Sequence, residues 1–239
     1  MTNPVRSVGK FKLNWLTDFP VIEEAALLNL IKTEKPEKMP ALEGRVAVRR
    51  FDSATLGPLV IKEYRRGGVI GKLLGNIHFR LGKGRARREA EFLTISLKHG
   101  ISVPGCIGFI EEGETFYRTW LVLREIPNAL SLAELARRDA AQSDAIVDAA
   151  ANEIIKLIRA RIFHIDLHPG NVLYGSDSRV YIIDFDKAAP FRGTLKQLRD
   201  LYLCRWRRAV IKHNLSPSLA ERMSLQLRQI TVWDELGGR

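Results

Sequence analysis

The residues whose types and spacing could do chemistry lie between positions 163 and 186, in FHIDLHPGNVLYGSDSRVYIIDFD. Asp166 and Asn171 stand five apart, with His164 two before the aspartate and Pro169 between them. An apolar run (172–174), a polar turn GSDSR (175–179) and a second apolar run (180–183) end in Asp184-Phe185-Asp186. Two short β-rich runs separated by Gly, Ser and Asp predict a hairpin. Such a hairpin would hold the Asp166/Asn171 group and Asp184 at neighbouring ends, on one side of a cleft. Three oxygen ligands, with no thiolate and no paired imidazoles, suit a hard ion such as Mg²⁺ held together with phosphates. Asp and Asn also make turns for purely local reasons, but here several spaced elements agree.

The spacing H-x-D-L-x-x-x-N, followed by an apolar-Asp-Phe step, resembles the catalytic and metal loops of the kinase-like superfamily. That resemblance implies a separate task for each residue. Asp166 would accept the proton of an attacking hydroxyl, Asn171 would hold a metal through its amide oxygen, and Asp184 would bridge metal to the β- and γ-phosphates of ATP. His164 would brace the loop. His168 stands where protein kinases carry a Lys; an imidazole is largely neutral near pH 7. It could face substrate as a hydrogen-bond donor, stand in the metal's surroundings, or pack the loop.

The elements that must position these groups follow from periodicity. Residues 1–40 predict an irregular lead-in with one helix near 23–32. RVAVRRF (45–51) and LVIKEY (59–64) predict a hairpin carrying Lys62, and RARREAEFLTISLKHG (85–100) a helix with Glu89 near its start and a Gly stop. A Lys62–Glu89 ion pair would set the lysine on the α- and β-phosphates. No G-x-G-x-x-G precedes Lys62; Gly44 is what remains of a phosphate-covering loop. Strands are expected within 101–113 and at 119–126. The latter ends at Glu125 and Ile126, whose backbone groups would pair with adenine, before a helix capped by Ser131 and Glu134. Helices are expected at 143–163, at 194–213 with Leu195, Leu198, Tyr202, Trp206 and Ala209 on one face, and at 215–230. Strand-rich first and helix-rich second predicts an α+β class chain. Its expected divisions are a lead-in 1–40, a small β-rich lobe 41–126 and a helical lobe 127–239.

At 46% apolar composition, 239 residues can bury a sizeable core. No apolar run reaches a membrane span and the N-terminus lacks a signal-peptide core, which predicts a cytoplasmic protein. Cys106 and Cys204 fit neither a disulfide framework nor a zinc spacing and are expected to be packing residues. A net charge of +11 favours an anionic partner, whether nucleic acid, acidic lipid or a phosphorylated glycan.

The segments LVIKEYRRGG (59–68), RREAEFL with GISVP (87–104), HIDLHPGNVLY (164–174) and YIIDFDKA (181–188) together resemble the bacterial lipopolysaccharide core kinases, most of all those that phosphorylate Kdo. The Asp/Asn/Asp pattern is common to the whole kinase-like superfamily, and YRRGG and IDFD carry the likeness to this branch. HPG (168–170) is closer to small-molecule kinases. The resemblance implies a bilobal protein-kinase-like fold, ATP and Mg²⁺ as cofactors, and a Kdo or heptose hydroxyl of a lipid A-linked core oligosaccharide as acceptor. A small protein kinase and an ATP-binding pseudokinase scaffold are the alternatives; no nucleic acid is expected.

Between Lys62 and Arg88 lie nine basic residues against one acid, Glu63, interleaved with apolar ones. Such a segment suits an anionic inner-leaflet membrane surface. Arg65, Arg66, Arg85 and Arg87 are expected to face the lipid-linked acceptor.

Overall fold

The structure, a computed structural model, describes residues 4–41, 44–64, 78–79 and 84–229. Strands fill the first part and helices the second, the α+β class expected. The chain divides into two units, Met1–Leu93 with Gly105–Glu125 and Thr94–Pro104 with Ile126–Arg239.

The first unit is built on one antiparallel sheet. Its order is β1 (Arg6–Val8), β2 (Phe11–Trp15), β7 (Cys106–Glu112), β8 (Phe116–Arg124), β5 (Gly57–Glu63), β4 (Gly44–Ser53) and β3 (Glu37–Ala41), with β6 (His78–Phe79) paired to β8. Period-two alternation sets the faces. In β2 Phe11, Leu13 and Trp15 are buried and Lys12 is exposed. In β5 Leu59, Ile61 and Glu63 are buried while Val60 and Lys62 turn the other way. Helix α1 (Val21–Thr33) buries Leu27, Leu28 and Ile31 in the cluster that holds Phe11, Leu13, Leu59, Ile110 and Trp120. Its entry is fixed by Trp15, which stacks on Phe19 and donates its indole N–H to Glu24 at 2.9 Å.

Residues 6–15 join this sheet. β1 and β2 turn at Gly9 (φ +57°), and β2 pairs with β7 from Phe11↔Glu112 to Trp15↔Gly108. A side chain at Gly108 would meet the Asn14 carbonyl oxygen at 2.4 Å, so glycine permits this pairing, beside a register shift between Cys106 and Gly108.

The unit boundary falls inside α2 (Arg85–Lys98), which stops at Gly100 (φ +68°). In the second unit, the segment 101–104 is tied down by Ser102, whose N–H donates to Glu153 at 2.7 Å and whose carbonyl accepts from Ile182 at 2.9 Å. Ser131 and Glu134 form the expected capping box on α3 (Leu132–Arg138). Helix α4 (Ala140–Arg159) buries Val147, Ala150, Ile154, Leu157 and Ile158. Helix α5 (Leu195–Lys212), capped by Thr194 and Gln197, buries the predicted stripe of Leu195, Leu198, Tyr202, Trp206 and Ala209. Helix α6 (Ser218–Arg228) is held to α4 by Arg222 on Asp148 at 2.8 Å. Among the described residues no helix is long and apolar enough to cross a membrane.

Candidate active site

The catalytic-loop candidates all belong to the second unit. Short strand β10 (Ile162–Phe163) leads into residues 164–171 and pairs with β13 (Ala189–Pro190). Strands β11 (Val172–Tyr174) and β12 (Val180–Ile182) form the predicted hairpin, with Val172 opposite Ile182, and β9 (Leu130–Ser131) pairs with the other edge of β11. The hairpin ladder is extended by the Ile183 N–H donating to the Asn171 carbonyl at 3.1 Å. Asn171 and Asp184 thus stand at the same open end of one hairpin.

Asn171 is buried, and its amide nitrogen donates to the Asp166 backbone carbonyl at 2.9 Å. That bond fixes the amide orientation and reserves the side-chain oxygen as an acceptor. Asp184 sits in the left-handed region at φ +67° and ψ +60°. A non-glycine residue held there costs of order 1 kcal/mol and persists only where its surroundings enforce it. The enforcement comes from Phe185, fully buried, and from the 3₁₀ turn Phe185–Lys187 that follows. Asn171 and Asp184 supply two oxygen donors, too few to enclose Mg²⁺ but enough where phosphate oxygens complete the shell. Among the described residues no group of three or more His, Cys, Asp or Glu could hold a metal.

His164 braces the loop. It is buried, packs edge-on against Phe185 at 4.7 Å, and its Nε2 lies 2.9 Å from the Ile183 carbonyl. A carbonyl can only accept, so Nε2 carries the hydrogen. Burial lowers the His164 pKa, more than the carbonyl contact and the nearby carboxylates of Asp184 and Asp166 raise it, and the ring is neutral. The Tyr202 hydroxyl accepts from the His164 N–H at 2.9 Å and donates to the Ile162 carbonyl at 2.6 Å, clipping the loop to α5. His168 is buried, and its Nδ1 accepts from the Gly170 N–H at 3.0 Å. It caps the turn Pro169–Asn171, the geometry of a loop-packing histidine.

Two cations that the sequence had not singled out meet on Asp166. Arg205 of α5 bonds Oδ1, and Lys187 lies 3.2 Å from Oδ2. The signal for Arg205 was its position between Tyr202 and Trp206, where a cation is half-sheltered by the buried stripe.

In the first unit, Lys62 Nζ lies 2.8 Å and 3.0 Å from the two Glu89 oxygens. Glu89 is 1% exposed and Lys62 15%. Tyr64 also donates its hydroxyl to Glu89, and its ring receives Lys62 and the Arg85 guanidinium, each about 5.1 Å from its centroid. Glu63 faces the other way, paired with Arg49 at 3.0 Å and Arg118 at 3.4 Å. Arg87 is exposed and pairs with Glu91 one turn on. Gly44 opens β4 opposite Ala41. The Glu125 N–H donates to the Pro58 carbonyl at 3.0 Å. The unit boundary lies between Glu125 and Ile126. Arg65, Arg66 and most of the basic stretch lie outside the described residues.

The model of the lipopolysaccharide kinase (Kdo/WaaP) family matches residues 32–221, which takes in the elements just described except β1, β2, nearly all of α1 and the greater part of α6. The chain belongs to this family. Among its relatives is the 3-deoxy-D-manno-octulosonic acid kinase of Vibrio cholerae, 31% identical over 58% of this chain and 63% of that protein. The same-named kinase of Xanthomonas campestris is 30% identical over 72% of this chain and 70% of its own length, and that of Photobacterium profundum 29% over 60% and 62%. The chain thus spans a little under two thirds of the Vibrio and Photobacterium relatives. Asp166, Asn171 and Asp184 all lie within the matched residues.

Proposed function

We propose that this chain transfers the γ-phosphoryl group of ATP to a hydroxyl of a lipopolysaccharide inner-core sugar, Kdo or heptose. The observation that carries the reading is the hairpin end: Asn171 tied to the Asp166 backbone with its amide oxygen reserved, beside an Asp184 held in a strained conformation. On this reading the fold is bilobal and protein-kinase-like, with the sheet unit as small lobe and the helical unit as large lobe.

Roles follow the chemistry of each group. Asp166 orients the acceptor hydroxyl and takes its proton. Asn171 and Asp184 would hold Mg²⁺, which when bound neutralises charge on the β- and γ-phosphates. Lys62, positioned by Glu89 and Tyr64, holds the α- and β-phosphates. Adenine pairs with the Glu125 carbonyl and the Ile126 backbone. The named activity of the relatives and the basic composition support a lipid A-linked acceptor met at the anionic inner face of the cytoplasmic membrane, with Arg65, Arg66, Arg85 and Arg87 toward it.

The experiment is acceptor-dependent ADP release, measured with Kdo-bearing lipid A, heptose-bearing core, choline, an aminoglycoside and a generic protein. Release with a core glycan alone is expected. Release with the protein would make the chain a small protein kinase, and ATP binding without release on any acceptor would make it a scaffold.

A further inference from the structure

Asp166 offers two carboxylate oxygens, and a described cation occupies each. The two cations differ in kind. Arg205 rises from α5 between buried Tyr202 and Trp206, with its side chain 23% exposed, and meets Oδ1 through one guanidinium nitrogen. Lys187 ends the 3₁₀ turn after Asp184, has a side chain 62% exposed and reaches Oδ2 through a flexible four-carbon stem. An acceptor hydroxyl needs one of those oxygens. Lys187 is the cation that can give way, and Asp166 is its one described anionic partner. Displaced by a neutral sugar, it would be left beside Arg205 with no counter-charge. His168 is buried, with its Nδ1 accepting from the Gly170 N–H.

We propose that Lys187 is the acceptor-recognising cation, exchanging the Asp166 carboxylate for a carboxylate on the sugar, so that the site selects a sugar acid over a neutral sugar. The inference rests on the phosphotransfer reading above. In the step it serves, the acceptor oxygen forms a bond to the γ-phosphorus as the bond from that phosphorus to the β,γ-bridging oxygen breaks. The bond's electron pair leaves with ADP, and the acceptor proton passes to the Asp166 Oδ2 that Lys187 has released. Arg205 stays on Oδ1 and keeps the carboxylate aimed.

The test uses the full chain, ATP, and two acceptors: Kdo-bearing lipid A and the same molecule with its Kdo carboxyl groups methyl-esterified. Wild type should prefer the free acid by roughly tenfold to a hundredfold in kcat/KM, carried by KM, as loss of a charged hydrogen bond predicts. Lys187→Met should erase the preference by raising KM for the free acid, with KM for ATP unchanged, and Lys187→Arg should restore most of it. The preference should persist on an acceptor stripped of lipid A phosphates; its disappearance there would assign Lys187 to a lipid phosphate and overturn the proposal. A wild type that takes ester and acid equally overturns it too, with the kinase reading intact. So does a Lys187→Met loss equal on both acceptors or falling on ATP. No transfer to either acceptor by wild type removes the functional reading and this inference with it.

Discussion

Asp184 holds a left-handed conformation that asparagine tolerates as well as aspartate does, so a change of charge can be separated there from a change of fold. Asp184→Asn should leave urea stability within about 0.5 kcal/mol while lowering turnover by roughly a thousandfold or more and weakening Mg²⁺-ATP binding. Asp166→Asn should lower turnover comparably and spare ATP affinity. Single-turnover kinetics with isothermal titration of ATP checks both. The two cysteines, expected alike as packing residues, differ. Cys204 is exposed on α5, with the Arg208 guanidinium 3.4 Å from its sulfur. The Cys106 thiol is pushed up to about 12, first by burial and then by the Glu89 carboxylate, and stays protonated throughout neutral pH. A thiol reagent at pH 8 should therefore modify Cys204 quickly and Cys106 only after denaturation; fast reaction of both would contradict that placement. The candidate set Asp166, Asn171 and Asp184 could be picked out of the sequence because its spacing is local. Arg205 could not, because its meeting with Asp166 spans 39 residues and a helix of many cations hides the one that matters.

Elements with strong periodicity were legible for the same local reason: the α5 stripe, the β11–β12 hairpin and the α3 capping box each depend on residues within a few turns. β1 and β2 were not, because three- and five-residue strands carry too little pattern, and β2, which holds β1, is fixed by pairing with β7 a hundred residues away. That pairing makes Gly108 sensitive. Gly108→Ala would drive a Cβ into the Asn14 carbonyl and should cost about 1–3 kcal/mol, read from urea unfolding. Asp148→Ala, which breaks the surface pair to Arg222 between α4 and α6, should cost at most about 1 kcal/mol. A reversal of that order would mean that β2 is not seated on β7. Glu89→Ala should destabilise more than either, by about 3 kcal/mol, since it strips the counter-charge from Lys62 and the acceptor from Tyr64.

Across the whole molecule, a charge of +11 makes the proposed membrane-surface acceptor testable. Sedimentation with vesicles rich in acidic lipid should show binding that weakens steadily with salt; replacing Arg65, Arg66, Arg85 and Arg87 with Ser should flatten that dependence and leave KM for ATP unchanged. Equal loss of ATP affinity would place the patch at the nucleotide. The most direct measurement is transfer of the label from γ-labelled ATP to Kdo-bearing lipid A, followed by mass analysis of the released sugar. A phosphate on the Kdo residue, formed by wild type and absent with Asp184→Asn, is the predicted result. Label recovered as inorganic phosphate with no phosphosugar, or equal transfer by Asp184→Asn, would contradict the account.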